Sequence, residues 1–384
     1  MTRKHGTRAG VLLVGALLFA VMTTTAAVAQ SARPAAGEAV TPGLNGPEGE
    51  LSFGLWYSEA EEFSATTGFT QHRIGGRDDS LAMGLSLSRY ATSAHVTLTD
   101  PDFYESPYAR VLSFAIRSYE PGATQAGDYT FTQAEALIGF SRALDPRRSI
   151  GFGAGFTRST LDDRDSLPEF LAAYVESVGE EINDAFVYAD YVWDARLSEG
   201  WQRRGPRVSL NTQLGRAGDT SYGLAYLRGE YRAPFGERFE LRTHGAVGLG
   251  DTLSDGPFPV LRSFAAGGPG SVRGFAEGTL GPQSPVPGSS DVAYPGGQFS
   301  VLAGLEAATP LDREQKIFGM AYFDIGNVYE TAADYDGGAL RRSVGIGISW
   351  ASPIGPLSLF VSEPIDPKDG DEVSRLQFGL GLRF

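Results

Sequence analysis

The chain has 384 residues, no cysteine and a formal net charge of −14 at pH 7. The lack of cysteine excludes a disulfide framework, a thiolate zinc site and a cysteine nucleophile, and the acidic balance argues against a nucleic-acid partner. Glycine accounts for 50 residues, roughly twice its usual share, whereas a hydrophobic content of 42% is too low for a bundle of membrane helices.

Residues 1–29 have the pattern of a secretory signal peptide. A basic start leads into an apolar run over residues 11–22, and the segment ends on the small-x-small triplet Ala27-Val28-Ala29. The apolar run is too short to span a bilayer comfortably, so we expect cleavage before Gln30; an uncleaved anchor is the alternative. Residues 30–50 are rich in Pro, Ala and Gly without periodicity, which predicts a flexible periplasmic tail.

From Leu51 onward, apolar residues alternate with small, polar or charged ones, and turns separate the alternating segments. In one such segment Val344, Ile346, Ile348 and Trp350 alternate with Ser343, Gly345, Gly347 and Ser349. A soluble sandwich also alternates, but its inner faces are packed with bulky side chains. Here the second face carries small, polar or charged residues, which suits a wet lumen behind a lipid-facing wall. Lipid offers strand edges no hydrogen-bond partners, so such a sheet must close.

The sequence therefore predicts an all-β fold, a transmembrane antiparallel β-barrel of about 16 strands over residues 51–384, with a long loop folded into its lumen. The predicted strands lie near 51–57, 63–74, 80–89, 92–99, 109–119, 129–141, 149–159, 184–195, 206–216, 220–232, 237–249, 297–309, 315–328, 341–350, 356–362 and 375–384.

The connection 160–183 predicts a short amphipathic helix over one end of the barrel. It contains Ser166-Leu167-Pro168-Glu169, which has the spacing of a capping box with proline near the helix start. A helical stripe of apolar residues follows: Phe170, Leu171, Tyr174, Val175 and Val178. The helix is either a lid or docking surface, or part of a loop that packs on the rim.

The connection 250–296 has an unusual composition for a surface loop. Between Phe264 and Phe275 it places Phe and Val residues and one arginine, Arg273, among glycines that permit tight backbone paths. This composition indicates a loop that is folded into the molecule and held by its arginine.

The same stretch resembles the hallmark of the BamA/TamA superfamily of outer-membrane barrels, the bacterial surface antigen type, which also includes the two-partner secretion transporters. The hallmark is a Gly-Gly…Val-Arg-Gly-Phe loop, formed here by Gly267, Gly268, Val272, Arg273, Gly274 and Phe275. Further segments resemble family strands: Glu306–Pro310, the Phe-x-Asp-x-Gly strand with Phe323, Asp324 and Gly326, and the terminal strand Phe378–Phe384.

The resemblance implies that the loop folds back into the lumen, where Arg273 pairs with Asp324 and with Glu306 on the barrel wall. Two physical arguments agree with this: a carboxylate facing lipid is unfavourable, and the planar fork of arginine can hold two carboxylates at once. The resemblance also implies that Phe378 and Phe384 form a C-terminal signal read by the outer-membrane assembly machinery.

Carried over, the resemblance implies a bacterial outer-membrane protein that assists a protein or lipid to enter or cross the membrane, by opening between its first and last strands. Because only residues 30–50 precede the predicted barrel, we expect a member without POTRA domains that relies on a separate periplasmic partner. Outer-membrane lipid and lipopolysaccharide are further expected partners. The alternative is a plugged pore or structural scaffold without translocase activity.

Patterns of enzymes are absent from the sequence. There is no GxSxG elbow and no Gly-Lys-Ser/Thr phosphate loop, and the glycines from Gly268 to Gly274 miss the GxGxxG spacing. His72, His95 and His244 fall on separate predicted strands or turns without a metal-ligand spacing. We therefore expect no enzymatic activity, no cofactor and no metal.

Overall fold

The computed structural model describes residues 44–45, 49–58, 62–74, 78–120, 128–199, 201–352 and 355–380. The predicted signal peptide 1–29, most of the predicted tail 30–50 and the terminal Phe384 lie outside these residues. Within the described ranges, no helix is both long and apolar enough to cross a membrane.

Sixteen antiparallel strands follow one another around a barrel, each paired with the next along the chain. Their bounds are β1 Gly49–Ser58, β2 Glu62–His72, β3 Ser80–Ser88, β4 Ala91–Asp100, β5 Ala109–Tyr119, β6 Asp128–Asp145, β7 Arg148–Ser166, β8 Glu181–Asp194, β9 Gln202–Ala217, β10 Thr220–Phe235, β11 Phe239–Thr252, β12 Phe299–Pro310, β13 Ile317–Tyr329, β14 Arg341–Ser352, β15 Gly355–Ile365 and β16 Leu376–Leu380. The pairing of β1 with β16 closes the sheet.

Short elements complete the fold. Leu44–Asn45 pairs with β1 and Leu197–Glu199 with β9, which brings the sheet to 18 strands. A separate two-stranded sheet joins Ser284–Pro285 to Val292–Ala293, and an α-helix, α1, covers Glu169–Val178. Short 3-10 helices lie at Phe103–Glu105, Val260–Arg262, Ala332–Asp334 and Gly337–Ala339.

The prediction of an all-β, antiparallel barrel of 16 strands is confirmed. Most strand boundaries differ from the predicted ones by a few residues. At the start of the barrel, β1 begins at Gly49 rather than at residue 51, so the last residues of the predicted tail belong to the sheet. The largest difference is in β7, which continues to Ser166 rather than ending at residue 159, and there Leu161 joins a buried cluster with α1 instead of facing lipid.

The two faces of the wall follow the alternation in the sequence. On β14 the side chains of Val344, Ile346, Ile348 and Trp350 are 41–64% exposed on the outer face. Ser343 is fully buried on the inner face, and a Cβ at Gly345 would clash with the hydroxyl of Tyr322. Small residues on the inner face therefore leave room for aromatic side chains from the neighbouring strands.

The helix α1 lies in the connection 167–180, as the sequence predicts, but its cap differs. Pro168 holds the N-cap position and provides no side-chain cap, whereas Ser166 belongs to β7, so the predicted capping box is wrong. The backbone N–H of Phe170 instead donates to Ser284 Oγ at 3.1 Å. The hydroxyl that completes the first turn thus comes from the long connection 253–298, which leaves the barrel at the same end as α1.

Candidate functional site

Residues 253–298, which connect β11 to β12 and are here called the lumen loop, bring Arg273 against the inner wall. Arg273 Nε lies 2.7 Å from Asp324 Oδ2 and Arg273 Nη2 lies 2.9 Å from Asp324 Oδ1. Its third nitrogen, Nη1, donates to Glu306 Oε2 at 3.0 Å. Asp324 is fully buried and Arg273 is 5% exposed, so the guanidinium holds two carboxylates in the planar geometry that gives strong, charge-assisted hydrogen bonds.

Aromatic rings complete the environment of this arginine. Arg273 Cζ lies 3.4 Å from the ring centroid of Tyr322 and 5.2 Å from that of Phe360. The Tyr322 hydroxyl in turn shares a hydrogen bond of 2.6 Å with Ser362. A guanidinium over an aromatic face is attracted by the ring quadrupole, most strongly when water is excluded, so the ring helps to fix the arginine.

Glu306 also joins the arginine to a longer network of charges along the wall. Its second oxygen lies 2.9 Å from Arg242 Nη1, and Arg242 Nε lies 2.6 Å from Glu240 Oε1. Glu240 is fully buried and has a second cation, Arg232, at 3.6 Å. The pair at Arg273 is therefore the end of a network of alternating charges that runs across β10, β11, β12 and β13.

The other residues of the loop motif shape the backbone and fill its core. Gly267 has φ +105°, and a Cβ there would clash with the backbone oxygen of Ala276. Val272 and Phe275 have no exposed surface and pack with Ala266, Leu280 and Val328. Gly268 and Gly274 also have positive φ. The glycines thus permit the path that the two apolar side chains anchor.

The structure brings some of the predicted site residues together and leaves others apart. The six loop residues meet Asp324 and Glu306, and Gly326 lies on the same inner face as Asp324, where a Cβ would come within 2.6 Å of Leu302. Phe323 lies on the opposite face of β13, and Phe378 is 37% exposed on the outer face of β16. Phe384 lies outside the described residues.

A second buried arginine of the lumen loop escaped the sequence prediction. Arg262 donates from Nε and Nη2 to Asp184 Oδ2 at 2.8 and 2.5 Å, and its Cζ lies 4.7 Å from the ring centroid of Phe186. The Tyr222 hydroxyl donates to the same carboxylate at 3.0 Å. Burial lowers the pKa of Arg262, but the charge of Asp184 outweighs burial and holds that pKa above its ordinary value. The one signal was Asp184 itself, a carboxylate on a strand of a membrane barrel.

The two connections at this end of the barrel share one buried cluster. Leu171 and Tyr174 of α1 pack with Phe258 and Leu261 of the lumen loop. The helix therefore covers the first part of the lumen loop, beside Arg262. In the described part of the chain, no group of three or more His, Asp or Glu side chains is arranged to hold a metal ion.

Comparison with known proteins places this architecture. A model of the Omp85 superfamily domain matches residues 74–384. The outer membrane protein assembly factor BamA of Nitratidesulfovibrio vulgaris is 30% identical over 344 residues, which cover 88% of this chain and 42% of that protein. BamA of Neisseria meningitidis is 23% identical over 374 residues, 88% of this chain and 47% of that protein. The chain thus spans less than half the length of these relatives.

A solved structure agrees at the level of the fold. The crystal structure of BamA from Haemophilus ducreyi lacking POTRA domains 1–3 matches with a TM-score of 0.78 at 21% identity. The match covers 94% of this chain and 77% of that one. The two chains therefore share the barrel and its strand order.

Proposed function

The chain belongs to the Omp85 superfamily, and from that premise we propose that it assists proteins or lipids to enter or cross the bacterial outer membrane. The place of action is the seam between β1 and β16. The chain reaches the membrane by export, and a periplasmic partner delivers the substrate to the seam. The role is one of membrane assembly and transport rather than of catalysis, and it needs no cofactor.

The observation that carries the proposal is where the barrel closes. Tyr57 of β1 pairs with Leu380 of β16, so the first and the last strand meet at the seam. Every other pair of neighbouring barrel strands is consecutive along the chain and is joined by a connection. Parting β1 from β16 therefore exposes two strand edges without undoing a hairpin.

An opened seam has a use because of the solvent around it. The edges of β1 and β16 present unpaired N–H and C=O groups, and lipid cannot satisfy them. An extended substrate segment can, by adding to the edge as a further strand. Gly379 in β16 adds no side-chain contacts to hold the closed state, which is consistent with a weak junction.

A reversible disulfide across the seam tests the proposal. The chain has no cysteine, so Tyr57→Cys with Leu380→Cys creates the only pair, at directly opposed positions that suit a disulfide. We expect the oxidised barrel to lose insertion of a reporter outer-membrane protein into vesicles, and reduction to restore it. A matched pair within the first hairpin, Phe53→Cys with Thr67→Cys, should leave activity unchanged. Full activity with a locked seam would refute the proposal.

Photo-crosslinkers at Ser52 and Gly54 of β1 then identify what reaches the edge. In irradiated cells, a discrete envelope protein or lipid bound at these positions supports insertion or translocation. Capture of β16 alone supports the second candidate below.

The second candidate is a plugged pore or a structural scaffold, and the buried lumen loop favours it. Arg262 holds the loop on β8 and Arg273 holds it on β13, so the loop is tied to the inner wall at two separate strands. Single-channel recording separates the two candidates: a steady, porin-sized conductance together with a locked seam that keeps full cellular function would favour the pore.

A further inference from the structure

The lumen loop pairs with the segment that leads into the last strand. Loop residues 274–276 face residues 372–374, and an antiparallel bridge joins Phe275 to Val373. Two backbone hydrogen bonds flank the bridge, from Ala276 N–H to the Glu372 oxygen at 2.8 Å and from Ser374 N–H to the Gly274 oxygen at 2.9 Å. The loop therefore acts toward this segment as a neighbouring strand would.

The side chain of Gln377 extends this pairing into β16. Gln377 has no exposed surface, its Oε1 accepts from Gly274 N–H at 3.2 Å, and its Nε2 donates to the Phe275 oxygen at 2.8 Å. A carboxamide offers one acceptor and donors in the geometry of a peptide group. The side chain of Gln377 thus takes the place of a backbone partner for Gly274 and Phe275.

Gln377 lies three residues before Leu380, the residue whose pairing closes the barrel. The register of Tyr57 with Leu380 sets Ser58, the last residue of β1, opposite Gly379. Gln377 therefore lies beyond the described end of β1. Here β16 is held by β15 on one side, where Phe360 is paired with Gln377, and by the lumen loop from inside.

The connection before β16 is fixed to the same loop. The Gly370 oxygen accepts from Gln283 Nε2 at 2.8 Å and from the Tyr294 hydroxyl at 3.4 Å, both of the lumen loop. Asp371, which is almost fully buried, pairs with Arg341 of β14 at 2.8 Å. The connection before β16 is therefore held by the lumen loop at Gly370 and at residues 372–374, and by β14 at Asp371.

We propose that Gln377 is a positioning residue that couples the lumen loop to the seam. While Arg273 is seated on Asp324 and Glu306, Gln377 holds β16 in place for β1; when the loop leaves its seat, β16 is released. The coupling is short, because the two groups that Gln377 binds belong to the residues directly after Arg273. The purpose of release rests on the proposed function, but the coupling itself does not.

Hydrogen–deuterium exchange of β1 amides in the purified barrel, in lipid vesicles and without substrate, tests the coupling. The contacts of Gln377 that carry the coupling are with the lumen loop, so faster exchange in β1 reports the seam rather than the loss of those contacts. We expect Gln377→Leu to speed exchange at the seam edge of β1 about tenfold, as the loss of two buried hydrogen bonds suggests. Asp100→Leu is the matched control: Asp100 is also buried, on β4, and accepts two hydrogen bonds, from the Asp102 N–H at 3.3 Å and from Arg110 Nη2 at 3.4 Å.

A double-mutant cycle separates coupling from a purely structural role. Arg273→Lys, which loses the planar fork, should speed the same exchange when Gln377 is present. In the double variant with Gln377→Leu it should add little, because the coupling is already lost. Additive effects, no effect of Gln377→Leu, or an equal effect of Asp100→Leu would overturn the proposal. Gln377→Met keeps the length of the side chain and loses both hydrogen bonds without adding a charge, so it serves if Gln377→Leu does not fold. Full reporter insertion with the seam locked by the disulfide, together with an intact coupling, would instead refute only the proposed function.

Discussion

Replacing Arg273 by alanine gives the most direct test of how the lumen loop is held. The change leaves Asp324 without exposure to water and with only the backbone N–H of residue 273, at 3.2 Å, as a donor. Removing one partner of a buried ion pair costs about 3–5 kcal/mol, because the remaining charge stays desolvated. The contact with Tyr322, at 3.4 Å, is lost as well, so we expect a value near the upper end of that range.

Urea unfolding of the refolded barrel in lipid vesicles, followed by its heat-modifiable gel mobility, measures this loss. Arg158→Ala is the control: its ion pair with Glu181 is 2.6 Å long, but both side chains are about half exposed, so we expect a loss below about 1 kcal/mol. Adding Asp324→Asn to Arg273→Ala should recover part of the stability by removing the stranded charge. A loss for Arg273→Ala no larger than for the control would refute the reasoning, because it would mean that water reaches Asp324.

Three further changes test the ion pair of Arg262, the backbone conformation at Gly267 and the hydroxyl of Ser284 that caps α1. Arg262→Ala should cost about 3–5 kcal/mol in the same unfolding assay, since it strands a second buried carboxylate. Gly267→Ala should lower stability more than Gly288→Ala. Both positions have positive φ, which costs about 1–2 kcal/mol for any side chain, but only a Cβ at Gly267 would also clash with backbone atoms. Ser284→Ala should cost about 0.5–2 kcal/mol and speed amide exchange at Phe170, and unchanged exchange there would contradict its role as a cap.

The strands were predictable because the membrane imposes a simple rule on each residue. On β14 an apolar side chain faces out and a small one faces in, so the period of two alone locates the strand and assigns its faces. The same rule fails beyond the rim. Tyr129 and Phe131 of β6 are apolar like the lipid-facing residues, but they are buried in a cluster with α1, so the alternation does not show where the lipid-facing part of the strand ends.

The site was predictable only in part, and the difference lies in sequence separation. Arg273 was recognisable because its glycines and apolar neighbours form a local pattern, and the cost of a carboxylate in lipid pointed to Asp324. The contacts of Ser284 with α1 and of Gln377 with the loop join residues 114 and 103 positions apart. No local periodicity encodes such pairs, since they follow from how two connections and a strand happen to pack.

The lumen loop is held by polar contacts, and this choice bears on whether it can move. Arg262 binds to β8, Arg273 binds to β12 and β13, and the loop backbone binds to Gln377 of β16. Val272 and Phe275 provide the apolar part of the contact. In lipid, separating such ion pairs would be prohibitive, because neither partner could find another hydrogen bond. In a water-containing lumen the separated groups regain hydration, so the cost of release falls toward that of an ordinary surface pair as water enters. A loop held by ion pairs inside a barrel is therefore stable while water is excluded and can leave the wall once water enters. The proposed coupling of the lumen loop to the seam requires this behaviour.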